Sequence, residues 1–288
     1  MSLSIPASAT RNPLAVPARA LLGARARVVL TWAPLVILMI IVVAGQALAP
    51  YDPDKVDIIN KLKPPSGTHL MGTDPLGRDV LSRVMTGARS TVPNVFVILI
   101  SAVSVGLAIG IVAGYFGGAV DSVLMRLTDV FLAFPALVLA LTIIGILGAN
   151  LFNAMIAIII VWWPWYARLI RGQVLAVKND LYVEAARSLG CPNHRILARH
   201  VLPNSVAPVG AQATLDIGAA LLTTATLGYL GVGAQPPSSE WGAMLAMGRQ
   251  YFLDAWWLTG FPGLAIFLTV LIFNAAGERL RNHWGLGD

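Results

Sequence analysis

The chain has 288 residues, of which 57% are hydrophobic and 12% charged, and its mean hydropathy is +0.73. Soluble domains carry about 25% charged residues, so too few charges remain here to cover a globule in water, and a bilayer is the natural solvent. The net charge of +6 does not point to nucleic acid, because the basic residues are spread over loops between apolar runs.

The first segment, 1–27, is a basic tail with Arg11, Arg19, Arg25 and Arg27 and no acid. The apolar run from Val28 to Ala49 follows. It is longer than the hydrophobic part of a cleaved signal and reads as a retained first span over 28–49. Residues 50–92 mix acids and bases. Within them, Gly72-Thr-Asp-Pro-Leu-Gly-Arg-Asp79 is glycine-rich but lacks the GxxxxGK[ST] pattern of a phosphate loop, as does the rest of the chain. The chain is therefore not expected to hydrolyse ATP. Leu81, Val84, Met85 and Ala88 recur at helical spacing, with Arg78, Asp79, Arg83 and Arg89 off that stripe. This predicts an amphipathic helix lying at the outer interface.

The second span is predicted over 93–116. Ala102, Gly106, Gly110 and Gly114 recur there every four residues, and small residues on one face let another backbone approach closely. That backbone belongs either to this chain or to a second membrane subunit. The uncharged stretch between Asp129 and Arg168 has room for two spans, 128–147 and 152–168, with a turn in the Gly145–Asn153 cluster. Trp162, Trp163, Trp165 and Tyr166 sit where an interfacial belt would lie, and Pro164 should kink the helix there. The fifth span is predicted over 206–230 and the sixth over 256–277. Lys/Arg placement puts both termini, 117–127 and the long loop 169–205 on the cytoplasmic side. The expected fold is an all-α membrane bundle of about six spans, forming one domain over 28–288.

The long loop contains two short helices by its punctuation. Asn179 or Asp180 can cap the first, and Gly190 can end it. Pro192 suits the first turn of the second, and Pro203 limits it. Ala185 and Ala186 offer a small, flat surface flanked by Glu184 and Arg187, suited to a groove on another protein. Two other features bear on chemistry. The single cysteine, Cys191, excludes an internal disulfide, and of four histidines only His194 and His200 lie close together, without a second ligand type. Asp216 falls inside the fifth span, where a carboxylate costs about 2.5–3.5 kcal/mol on insertion scales. It reads either as a contact in a transport pathway or as half of a structural pair.

Glu184-Ala-Ala186, Gly190 six residues after Glu184, and Leu202-Pro203 resemble the EAA motif of permease subunits of bacterial ATP-binding-cassette importers. His200 stands where that family has Ile. Gly72–Arg83, Gly114-Tyr-Phe-Gly-Gly118, Leu132-Ala-Phe-Pro135 and Leu230–Pro237 with Trp241-Gly242 resemble the dipeptide, oligopeptide and nickel branch, and its second permease of the pair, over about 28–285. Thr224 replaces a Glu of that branch, and Asp216 replaces an apolar or small residue. The resemblance implies a second homologous permease, two cytoplasmic ATPase subunits or one fused ATPase, and an extracytoplasmic solute-binding protein. ATP and magnesium would be bound by the ATPases, with no cofactor in this chain. It also implies a multi-pass protein of the bacterial inner membrane surrounded by lipid. Glu184, Ala185, Ala186, Arg187, Gly190, Leu202 and Pro203 would form the coupling element that meets an ATPase. The cargo would be di- or oligopeptide, or else a nickel chelate, glutathione or oligosaccharide.

Two other classes fit less well. An ion-coupled secondary transporter needs ionisable groups at mid-membrane, and Asp216 alone qualifies. A membrane enzyme needs a His, Glu, Asp or metal constellation, and the pattern offers none.

Overall fold

The computed structural model of the protein describes residues 18–283, with side chains over 32–282. The predicted tail over 1–27 has no described side chains, and residues 1–17 fall outside the description altogether. Among the described residues the regular elements are helical, as hydrocarbon demands when each segment must pair its own backbone groups. They run α1 (Ala18–Leu48), α2 (Val80–Phe116), α3 (Gly118–Leu132), α4 (Ala136–Leu147), α5 (Leu151–Val177), α6 (Leu181–Ser188), α7 (Asn193–Ile196), α8 (Leu202–Tyr229), α9 (Trp241–Gly248) and α10 (Trp257–His283). Val80–Phe116, Leu151–Val177, Asn193–Tyr229 and Trp257–Asn282 are each long and apolar enough to cross a membrane. α3 and α4 qualify together as a bent pair, and Trp32–Leu48 is a shorter apolar helix.

Several predicted elements take another form. No separate interfacial helix precedes the second span, because α2 runs unbroken from Val80 through Pro93 to Phe116. Asp79 starts it, its carboxylate accepting from the Ser82 amide at 2.8 Å. Arg78, Asp79 and Arg83, expected on a wet face, are buried. The third span, predicted over 128–147, is two helices bent by 88°. Pro135 is the cause: it lacks an amide hydrogen and disfavours helix at Phe134. α5 continues through Pro164 to Val177, well past the predicted end at 168. Pro203 does not stop the second loop helix. A π turn over Leu197–Val201 carries α7 into α8, and its wider pitch makes room for a proline that would clash in a regular helix. Of the aromatic run, Trp163 and Tyr166 are buried, Trp162 is half-buried and Trp165 is exposed.

The main packing contact runs between α2 and α5. Gly106, Gly110 and Gly114 form the seam, with Ala102 buried on the same face. A methyl added at Gly106 would lie 2.5 Å from Tyr166 Cβ, and one at Gly110 would lie 2.5 Å from the Ala167 carbonyl oxygen. At Gly114 the nearest atoms belong to the Val174 side chain, 2.9 Å away. The stripe thus meets a helix of its own chain. Gly106→Val and Gly110→Val are expected to cost at least about 1–3 kcal/mol through overpacking against fixed backbone. Gly114→Ala should cost less, because it adds a single methyl whose nearest neighbours lie at 2.9 Å rather than 2.5 Å. Thermal unfolding of the purified protein in detergent checks the order, and equal melting temperatures for all three would contradict this seam.

At the end of the bundle carrying residues 50–79, the glycine-rich motif is a staple. The amides of Gly72, Thr73, Asp74, Leu76, Gly77 and Arg78 all donate to acceptors within residues 63–78. None is left to cradle an anion. Gly77 has φ +76°, and a Cβ there would overlap the Asp57 carbonyl, so only glycine fits that turn. Trp257 Nε1 donates to the Thr73 carbonyl at 3.2 Å and ties the segment to α10. Glu240 starts α9, accepting from the Ala243 amide at 2.9 Å and from the Thr91 hydroxyl at 3.2 Å.

Candidate functional site

The opposite end of the bundle carries α6 and α7, between α5 and α8. α5 ends where Lys178 donates from Nζ to the Gly114 carbonyl at 2.7 Å, fastening it to the end of α2. α6 then begins at Asp180, whose carbonyl accepts from the Val183 and Glu184 amides. It ends in a paired reverse bond: the Cys191 amide donates to the Ala186 carbonyl, and the Gly190 amide to the Arg187 carbonyl. Gly190, at φ +79°, supplies the left-handed residue this closure needs. Partial burial, then the Asp180 carboxylate, pushes the Tyr182 phenol up from its ordinary range.

The loop is bolted to the bundle. Val183, Ala186, Ile196 and Val201 are buried. The Tyr115 hydroxyl on α2 donates to Asn193 Oδ1 at 2.8 Å, and Asn204 Nδ2 on α8 donates to the Tyr182 hydroxyl at 3.2 Å. Arg171 pairs bidentately with Asp121 of α3, and Arg168 pairs with Asp129 at 2.6 Å. What remains outward is one face of α6. Leu181 is 83% exposed and Leu189 85%, and between them lie the exposed Glu184, Ala185, Arg187 and Ser188. Neither Glu184 nor Arg187 has an ion-pair partner among the described residues.

The structure divides the predicted Ala185–Ala186 surface. Ala185 faces out, while Ala186 packs against the chain. Gly190 and Pro203 are exposed and Leu202 is half-buried. Leu181 and Leu189 were missed by motif reading. Their signal was weak, because α6 also carries Val183, Ala185 and Ala186, and spacing alone does not say which apolar side chains face inward. The His200 ring lies near that of Tyr182, with centroids 6.1 Å apart and planes tilted by 55°. Among the described residues no group of three metal-ligating side chains comes together.

The predicted pathway residue lies elsewhere, at the contact of α5 and α8. Asp216 accepts from the Tyr166 hydroxyl at 2.7 Å and from Gln212 Nε2 at 2.9 Å. Tyr166 is fully buried and also backs the seam at Gly106. Thr224 is buried, its hydroxyl donating to the Ala220 carbonyl one turn back.

The described residues thus form a helical bundle with several helices long and apolar enough to cross a membrane and one short helix, α6, presented outward between α5 and α8. Residues 106–284 match the family model described as binding-protein-dependent transport system inner membrane component. The chain belongs to that family, the permeases of ATP-binding-cassette importers. It is 44% identical over 248 residues to the probable D,D-dipeptide transport system permease protein DdpC of Escherichia coli strain K12, covering 86% of this chain and 83% of that one. It is 44% identical over 223 residues to the dipeptide transport system permease protein DppC of Alkalihalophilus pseudofirmus, covering 77% and 73%. The nickel transport system permease protein NikC of Escherichia coli strain K12 is 38% identical over 251 residues, covering 86% and 89%. Among solved structures, an inward-facing MetNI methionine ABC transporter chain aligns with a TM-score of 0.58 at 19% identity, over 69% of this chain and 95% of that one. That likeness shows the fold.

Proposed function

We propose that this chain is one of two homologous permeases in an importer of dipeptides or a related small solute, and that α6 docks on a cytoplasmic ATPase. An extracytoplasmic solute-binding protein delivers the cargo at the end carrying residues 50–79. ATP and magnesium sit in the ATPase partners. The observation that carries this reading is the α6 face: two fully presented leucines bracketing unpaired Glu184 and Arg187, on a helix whose other face is anchored. Exposed apolar side chains with flanking charge are what a partner's groove selects. ATP then favours one of two packings of the bundle, and α6, anchored through Val183, Ala186 and the Asn204–Tyr182 hydrogen bond, would transmit the choice. Two of the relatives are dipeptide permeases, which favours a peptide over a metal chelate.

This reading sets the topology. With Cys191 replaced by Ser, a cysteine at Ser188 should react only with reagents that reach the cytoplasm. Cysteines at Ser66 or Ser239 should be labelled from outside the cell. In the assembled complex, a cysteine at Leu189 should also cross-link to the ATPase subunit with a short bifunctional reagent. External labelling at position 188 inverts the orientation, and absence of any cross-link from position 189 removes α6 from the interface.

A further inference from the structure

One face of α8 is only partly covered by the rest of the chain. Ile217, Ala220, Leu221, Thr224, Leu227 and Gly228 are buried. Gln212, Asp216, Ala219, Thr223 and Thr226 follow one another at three- and four-residue steps and remain half-buried or exposed. The stripe is too polar for a surface that meets only lipid tails. Asp216 lies within it, about 20 Å of helix from Tyr229.

The carboxylate is held but not neutralised. Both of its partners, Tyr166 and Gln212, are uncharged donors, one to each oxygen. No cation pairs with it among the described residues. Each oxygen keeps acceptor capacity beyond the single bond it receives. Tyr166 is locked between α2 and α8, so the acceptor is fixed in place before any ligand arrives. A fixed, unpaired carboxylate in a spanning helix has the chemistry of a cation receptor, because water and cations are what offset its cost there. Further along α8, between α4, α5 and α8, a cavity of about 270 Å³ is lined by Leu137, Val161, Trp162, Leu222, Thr223 and Thr226. Trp162 is one turn from Tyr166, and Thr223 is two turns from Asp216, about 10 Å along the helix. Two extended residues span about 7 Å, so a small peptide with an extended side chain matches the length of that separation.

We infer that Asp216 is a specificity-determining residue that receives the ammonium group of the transported solute, while that cavity takes an apolar side chain. This rests on the reading of the protein as a small-peptide importer. Tyr166 is a positioning residue that orients the carboxylate.

The test uses the assembled importer in proteoliposomes, with its binding protein outside and ATP at the ATPase side. The probes are dialanine and N-acetyl-dialanine, which differ in the ammonium group. The binding protein is common to wild type and variant, so its own preference cancels in the ratio of their rates. Asp216→Asn is expected to slow dialanine uptake at least tenfold and N-acetyl-dialanine uptake less than twofold, with full recovery of the complex. Asp216→Glu should restore much of the dialanine rate. Equal slowing of both probes overturns the inference. So does reduced recovery of the Asn complex, which would mark Asp216 as the counter-charge of a cation on the second permease. A wild-type importer that moves neither probe overturns the peptide reading before any variant is made, and takes this inference with it.

Discussion

Leu189→Asp and Glu184→Lys are each expected to abolish solute uptake and release the ATPase from the membrane complex, while the permease still inserts and folds. Neither side chain makes an internal contact that the substitution would remove: Leu189 is 85% exposed, and Glu184 is exposed without an ion pair among the described residues. An apolar anchor seated in a partner's pocket costs about 2 kcal/mol or more when lost, roughly thirtyfold in affinity. A carboxylate placed in that pocket adds the cost of a buried, unpaired charge. Glu184→Lys reverses the charge presented between the two leucines. Gly190→Leu acts by another route. The added Cβ meets no atom within 4 Å, but the φ of +79° remains. A left-handed conformation costs an L residue about 1–2 kcal/mol, so the closing turn of α6 should loosen and Leu189 should lose its fixed position. The measurements are uptake in whole cells and co-purification of the ATPase with the tagged permease. Full uptake by Leu189→Asp and Glu184→Lys together would remove α6 from the coupling path.

Much of this was legible in the sequence because the strongest signals were local. Apolar runs long enough for hydrocarbon marked α2, α5, α8 and α10, and the glycine stripe marked a close helix contact. Gly190 ended α6 because the closing turn needs a left-handed residue, a property of one position. Boundaries set by proline were less legible. Pro135 breaks a span, whereas Pro93, Pro164 and Pro203 do not. The ring imposes the same local penalty each time, and the surrounding packing decides whether the helix bends, widens or continues. Burial of charge was illegible for a related reason. Arg83 lies off the apolar stripe of its helix and so reads as solvated. In three dimensions the segment 50–79 and the loop 236–239 close over that face, and sequence spacing holds no record of either. Asp216 could be singled out by its cost, but its partner Tyr166 lies fifty residues away on another helix and could not.

Arg83 carries the second large effect. It is 1% exposed and sits in the first turn of α2. Its Nη1 donates to the Pro53 carbonyl at 3.1 Å, and its Nη2 donates to the carbonyls of Pro237 at 3.1 Å and Ser238 at 2.9 Å. Asp54 lies 3.4 Å from Nη1 and Asp74 lies 3.7 Å from Nε. One guanidinium therefore joins the segment after α1, the start of α2 and the loop before α9. Arg83→Met keeps the bulk but leaves Asp74 without one of its cations and three carbonyls without their donor. Breaking a buried charged pair costs about 3–5 kcal/mol. Arg83→Lys keeps the charge, but a single ammonium cannot present the planar fork that reaches Pro53 on one side and Pro237 and Ser238 on the other, so it should recover only part of that loss. The expected result is a lower melting temperature of the purified complex, in the order wild type, Lys, Met, with new proteolytic cuts between residues 50 and 79. Because residues 50–79 belong to the end proposed to meet the solute-binding protein, stimulation of the ATPase by that protein should fall with the same order, while basal ATPase attachment through α6 stays intact. A Met variant that melts with the wild type would show that the three segments are held by packing alone, and that the Arg83 fork contributes nothing beyond the neighbouring Asp74–Arg78 pair.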